Sequence, residues 1–139
     1  MPNILVVDDH EEIREALSEI LEEEGHDISQ AVDGLDALEA INKSRPDVVL
    51  LDIAMPGMDG LETLQRIKSQ PELANIPVIM VTAQGDRQNM VKAVQLGVRD
   101  YVTKPWEPGE VEMCVNWALK ASKATGSQSA DSSLLAQSA

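Results

Sequence analysis

Four apolar runs in this chain each stop at a polar residue of a different chemical kind. Ile4-Leu5-Val6-Val7 runs into Asp8-Asp9, and Val48-Val49-Leu50-Leu51 runs into Asp52. Val78-Ile79-Met80-Val81 meets Thr82, and Tyr101-Val102-Thr103 meets Lys104-Pro105. Short continuous apolar runs between helical patterns are strands covered on both faces, as in a parallel sheet. In such sheets ligands bind beyond the strand C-termini, where loops leave room and helix N-termini point inward. Carboxylates, a hydroxyl and an ammonium at those ends describe a metal-and-phosphate site.

The segments between the runs complete an alternation of strand and helix repeated five times. Ile13, Ala16, Leu17, Ile20 and Leu21 recur at helical spacing, and Gly25 closes that helix. A weaker strand follows over 27–32, with Ile28, Gln30 and Val32 on one face. Leu35, Leu38 and Ile41 mark a second helix, stopped by Arg45-Pro46. Asp59, with Glu62 three residues on, reads as a capping box opening a third helix through Leu61, Leu64 and Ile67. Asp86 opens a fourth helix carrying Met90, Val91 and Val94, closed by Gly97, and the spacing predicts a last helix over 108–121. Strands one, three and four are apolar throughout, whereas two and five are mixed, as edges are. The expectation is a flavodoxin-like, doubly wound α/β fold: a parallel five-stranded sheet in the order 2-1-3-4-5, with five helices on two faces. Its switch point lies between strands one and three, where Asp8, Asp9 and Asp52 meet.

Composition narrows the function classes. The chain has 139 residues, 43% of them apolar, with no Phe and only 2% aromatics, so its core must be aliphatic. A single domain over 1–121 is expected, followed over 122–139 by a flexible Ser/Ala-rich tail or severed linker. The net charge of −13 repels nucleic acid and anionic membranes. The lone Cys114 has no partner for an internal disulfide. No signal-peptide pattern or long apolar run is present, so the expected location is cytoplasmic.

The motifs together resemble the receiver domains of two-component response regulators, in extent the single-domain chemotaxis type. The resemblance covers roughly residues 2 to 121. It rests on Leu5-Val6-Val7-Asp8-Asp9, on Leu50 through Gly60, on Val81-Thr82-Ala83 and on Tyr101-Val102-Thr103-Lys104-Pro105, in that order. It implies that Asp52 accepts a phosphoryl group from a sensor histidine kinase or phosphotransfer protein. It also implies Mg²⁺ ligated by Asp9, Asp52 and the Ala54 carbonyl, with Asp8 acting through water. Crowded carboxylates repel unless a cation neutralises them, and a hard divalent ion suits carboxylate oxygens. Thr82 and Lys104 would then contact the phosphoryl oxygens, each through a charge-assisted hydrogen bond worth roughly 1.5–3 kcal/mol. Tyr101 would follow Thr82 inward and report the change to the helix 4, strand 5 and helix 5 face. The family's bond at Lys104-Pro105 is typically cis, and the same is implied here.

Each residue has a plainer reading. Asp9 could cap the first helix with Glu12, Thr82 could be an ordinary strand-end residue, and Lys104 a solvated lysine. Tyr101 could be an edge aromatic, His10 a helix-start residue and His26 a turn residue. In the last helix Val111, Val115, Ala118 and Leu119 form a core stripe, while Met113, Cys114, Trp117 and Ala121 form a second one. Trp117 and Met113, beside Tyr101 and Trp106, are therefore expected to make a partner-binding or dimerising face. The chief rival function is a Mg²⁺-dependent phosphatase or phosphotransferase with an aspartyl nucleophile. That class carries its nucleophile after the first strand and needs a substrate cap, neither of which fits. A flavin binder would need a phosphate loop where this chain has Asp8-Asp9-His10-Glu11-Glu12.

Overall fold

The computed structural model describes residues 1–83 and 85–127. Strands β1 (Asn3–Val7), β2 (Asp27–Ala31), β3 (Val48–Asp52), β4 (Val78–Ala83) and β5 (Asp100–Lys104) pair in parallel in the order β2-β1-β3-β4-β5. They alternate with α1 (Glu11–Glu23), α2 (Gly34–Lys43), α3 (Gly60–Ser69), α4 (Arg87–Gln95) and α5 (Glu110–Ser127). The expected topology is therefore the observed one. None of the helices described is long and apolar enough to cross a membrane.

The pleat divides the core in two. Leu5, Val7, Val49, Leu51, Val78 and Met80 point to one face, against Ala37 and Ile41 of α2, Leu64 and Ile67 of α3 and Ala93 of α4. Ile4, Val6, Val48, Leu50, Ile79 and Val81 point to the other, against Leu17 and Leu21 of α1 and Val111, Val115 and Ala118 of α5. Successive side chains alternate across a strand, so only an unbroken apolar run feeds both layers. β3 is buried at every position, whereas the edge strands β2 and β5 are half open.

Local details refine the reading of the chain. Asp59 caps α3 through its side chain, accepting from the Glu62 amide at 2.9 Å, but Glu62 pairs with Arg66 rather than returning the bond. In β2 the deeply buried residue is Ala31, not the Ile28–Gln30–Val32 face, and Val32 is exposed. α4 buries only Ala93, leaving Val91 and Val94 exposed. α5 runs to Ser127, past the Ala121 boundary expected for it. Residues 128–139, with the Leu134-Leu135 pair, lie outside the described residues, as does Gln84.

One close approach ties the fold to its functional edge. Gly60 opens α3 directly against the end of β3, its amide donating to the Ile53 carbonyl at 2.8 Å. A Cβ there would lie 2.1 Å from the Asp52 carbonyl oxygen and 2.7 Å from Ile53 Cα. Both are backbone atoms, so the strand end or the helix must shift. In an ordinary helix Gly→Ala gains up to about 1 kcal/mol from propensity. Gly60→Ala is expected to do the opposite, losing at least about 2 kcal/mol in urea denaturation. A neutral or stabilising result would show that the β3–α3 junction relaxes freely.

Candidate phosphoryl and metal site

Parallel register brings four strand ends to one edge. Val7 pairs with Leu51, Asp52 with Val81, and Ala83 with Lys104. Asp8, Asp52, Thr82 and Lys104 thus project from β1, β3, β4 and β5, although up to 96 positions separate them in sequence.

Asp8 is fully buried, and its carboxylate is held from two sides. Oδ1 accepts from the His10 amide at 2.8 Å, and Oδ2 accepts from Lys104 Nζ at 3.0 Å. Lys104 also pairs with Asp52 Oδ1 at 3.2 Å, so one ammonium bridges two buried carboxylates. Behind them Arg14 donates to the Asp8 carbonyl at 2.8 Å and to Gln30 Oε1 at 3.1 Å, and Gln30 donates in turn to Ser18. This network, which fastens α1 and β2 to the acid pair, was not read from the sequence. Arg14 and Gln30 sit on different elements, and no spacing rule joins them.

The charges do not balance locally. Lys104 pairs with Asp8 and Asp52, and Asp9 adds a third carboxylate, with ligand-capable atoms of Asp8, Asp9, His10 and Asp52 all within 4.8 Å of one another. Burial, reinforced by the charge of Asp8 and opposed by Lys104, pushes the Asp52 carboxyl up from 3.8 to about 6. For Lys104 burial acts downward, but the bonds and charges of Asp8 and Asp52 outweigh it and raise its pKa. Asp52 Oδ2 and Asp9 Oδ1 are buried without a hydrogen-bond partner. Unsatisfied anionic oxygens are expensive in a low-dielectric site, so this donor set fits a hard divalent cation. Ala54 lies exposed in the loop just after β3.

Thr82 is fully buried, and among the described residues its hydroxyl makes only a long 3.4 Å contact with the Ala83 carbonyl. Tyr101 is 43% exposed, Met113 60% and Trp117 67%, all on β5 and α5. Trp106 parts company with them: it is partly buried and packs on the α1–α5 core with Cys114. Trp117, Cys114, Ala118, Ala121, Arg99 and Asp100 line a cleft of about 360 Å³. Burial and the Asp100 carboxylate push the Cys114 thiol to about 12, which makes it a poor nucleophile. The Lys104-Pro105 peptide is cis.

Strand order and the acid, threonine and lysine edge together define a receiver domain of two-component signalling. The family model for the response regulator receiver domain matches residues 4–116, and the chain belongs to that family. It is 43% identical over 112 residues to sporulation initiation phosphotransferase F of Bacillus subtilis, covering 81% of this chain and 89% of that one. It is 38% identical to the DNA-binding dual master transcriptional regulator RpaA of Synechocystis, over 80% of this chain but only 46% of that protein. Among solved structures, a putative response regulator from Chloroflexus aurantiacus superposes with a TM-score of 0.83 at 34% identity, covering 86% of this chain and 98% of the other.

A raised carboxyl pKa has a definite sign in stability. The folded, metal-free protein binds Asp52's proton more tightly than the unfolded chain does, so stability falls as pH rises from about 4 to about 6 and then levels off. At about 1.36 kcal/mol per unit, the ionised carboxylate costs on the order of 2–3 kcal/mol. Asp52→Asn is therefore expected to stabilise the protein in EDTA at pH 7.5 by that order, and by much less at pH 4. Urea denaturation at the two values would check it. An equal effect at both would remove Asp52 ionisation as the cause.

Proposed function

We propose that the chain is a phosphoaccepting switch in which Asp52 takes a phosphoryl group from the phosphohistidine of a sensor kinase or phosphotransfer protein. The observation that carries this reading is the buried, unpartnered Asp52 Oδ2, on a carboxylate whose other oxygen pairs with the lysine that also holds Asp8. In the transfer a new bond forms between an Asp52 oxygen and phosphorus while the donor's phosphorus–nitrogen bond breaks, releasing the imidazole. Asp9, Asp52, the Ala54 carbonyl and, through water, Asp8 would hold Mg²⁺, which neutralises carboxylate charge and stabilises the transferring group. With its carboxyl near 6, Asp52 is ionised and nucleophilic at neutral pH.

Lys104 and Thr82 then play unequal parts. Lys104 already pairs with Asp8 and Asp52, so a phosphoryl oxygen replaces an existing partner instead of adding one. Its net contribution to switching is smaller than that of a new charge-assisted bond. Thr82 has no comparable partner to lose, so most of its roughly 1.5–3 kcal/mol would favour the active state. Shifting an equilibrium from 1:99 to 99:1 takes about 5.5 kcal/mol. Output-partner binding must therefore supply a large share.

The output surface is the exposed apolar face of α4, β5 and α5, comprising Val91, Val94, Tyr101, Met113 and Trp117. It would control an output protein, an effector domain or a second copy. The likeness to a DNA-binding regulator of which the match covers only 46% supports an effector beyond this chain. A charge of −13 argues against direct nucleic-acid contact by this chain itself. The Ser/Ala-rich segment from 122 onward would serve as the tail or linker. Membership in a family of regulatory phosphoacceptors favours this switch over the turnover phosphatase, whose nucleophile would follow β1.

Intact mass after incubation with Mg²⁺ and acetyl phosphate or phosphoramidate tests the acceptor. The wild type should gain one labile phosphoryl group and Asp52→Asn none; equal labelling of both would move the acceptor elsewhere. For the surface, Trp117→Glu should abolish phosphodonor-dependent association in analytical ultracentrifugation or partner binding. If it alters neither, α5 is not part of the interface.

A further inference from the structure

We propose that His10 supplies a nitrogen donor to the acidic pocket and gives it a preference for transition-metal ions such as Zn²⁺ or Co²⁺ that Mg²⁺ does not share. The inference rests on the reading of the pocket as a cation site and concerns which cations it selects. His10 is the N-cap residue of α1, but its side chain makes no capping bond. Instead the ring turns back over the strand end. Its Nδ1 lies 3.3 Å from Asp8 Oδ1 and 3.3 Å from Asp9 Oδ1.

That spacing is informative. An ion with ligands about 2.05 Å away in tetrahedral geometry separates them by about 3.3 Å. An octahedral Mg²⁺ at about 2.1 Å sets neighbouring ligands about 3.0 Å apart. The two nitrogen–oxygen distances therefore match the tetrahedral spacing, and the ligand atoms of Asp8, Asp9, His10 and Asp52 all lie within 4.8 Å of one another. Imidazole nitrogen suits Zn²⁺, Co²⁺, Ni²⁺ and Cu²⁺, whereas Mg²⁺ favours oxygen and retained water.

Two observations separate a ligand from a mere counter-charge. Nδ1 carries at most one hydrogen, so it satisfies at most one of the two carboxylates it faces. Asp9 Oδ1 is buried without a hydrogen-bond partner. Independently, Asp52 is only 3% exposed, and its Oδ2 is also unpartnered within the same group. The backbone amide of His10 is already anchored on Asp8 Oδ1 at 2.8 Å, which keeps the imidazole on a short tether over the pocket. The ring's 67% exposure leaves it open to exchange with metal in solution.

The test uses the full chain, with Mg²⁺ and Co²⁺ as separate probes in titration calorimetry and the visible spectrum of bound Co²⁺ as a second readout. His10→Gln removes the donor and His26→Gln controls for the other imidazole. Expected is at least an approximately tenfold loss of Co²⁺ affinity in His10→Gln, a weaker Co²⁺ absorption, Mg²⁺ affinity unchanged within about twofold, and no effect of His26→Gln. If Mg²⁺ binds but Co²⁺ affinity ignores His10, or if both affinities fall equally, His10 is only a counter-charge and the inference fails alone. If the wild type binds neither ion, the cation-site reading fails with it.

Discussion

The structure turns on an imbalance of buried charge at the C-terminal edge of the sheet. Asp8 and Asp52 are almost wholly withdrawn from water, Asp9 lies beside them, and Lys104 is the one ammonium that bridges the buried pair. Coulomb repulsion in a partly dehydrated pocket is many times stronger than in water, so this arrangement sits at a high free energy until something positive enters or a proton binds. Burial first, and then the charge of Asp8, push the Asp52 carboxyl up to about 6.

The remainder of the fold makes that imbalance possible by denying the edge any escape. β1, β3 and β4 are sealed between two aliphatic layers, so their ends cannot drift apart without exposing core. Gly60 brings α3 so near the Asp52 carbonyl that no side chain fits between them. On the other flank Arg14 holds the Asp8 carbonyl and joins Gln30 and Ser18 in a chain of hydrogen bonds. Rigidity in these three places concentrates any change on the less constrained parts. Those are the Thr82 hydroxyl, the thinly packed α4 and the half-open β5. Regions with few buried contacts are the ones that open at the lowest free-energy cost.

Much of this was legible in the residue order. Runs such as Val48 to Leu51 feed both faces of a sheet and so announce central parallel strands, and the mixed character of β2 and β5 marks the edges. Once the strand order follows, the polar residues ending those strands must meet. Boundaries were less legible. α5 passes Ala121 and runs through Gly126 to Ser127, because Ala, Lys and Ser beyond Ala121 raise no stop signal. Val91 and Val94 follow helical spacing and were read with α4, yet they face out because α4 meets the sheet almost solely through Ala93.

By itself the sequence determined the class of chain, its strand order and the residues that crowd the functional edge, because periodicity and strand-end chemistry are local properties. Only the tertiary structure decided how those residues share one another. It joined Lys104 to Asp8 as well as Asp52, turned His10 back into the acid cluster, and set Trp106 partly buried against the core while leaving Trp117 exposed. These outcomes depend on distances between groups far apart in the chain, on burial that strengthens every charge, and on side-chain directions set by packing. None of those quantities is written in residue order.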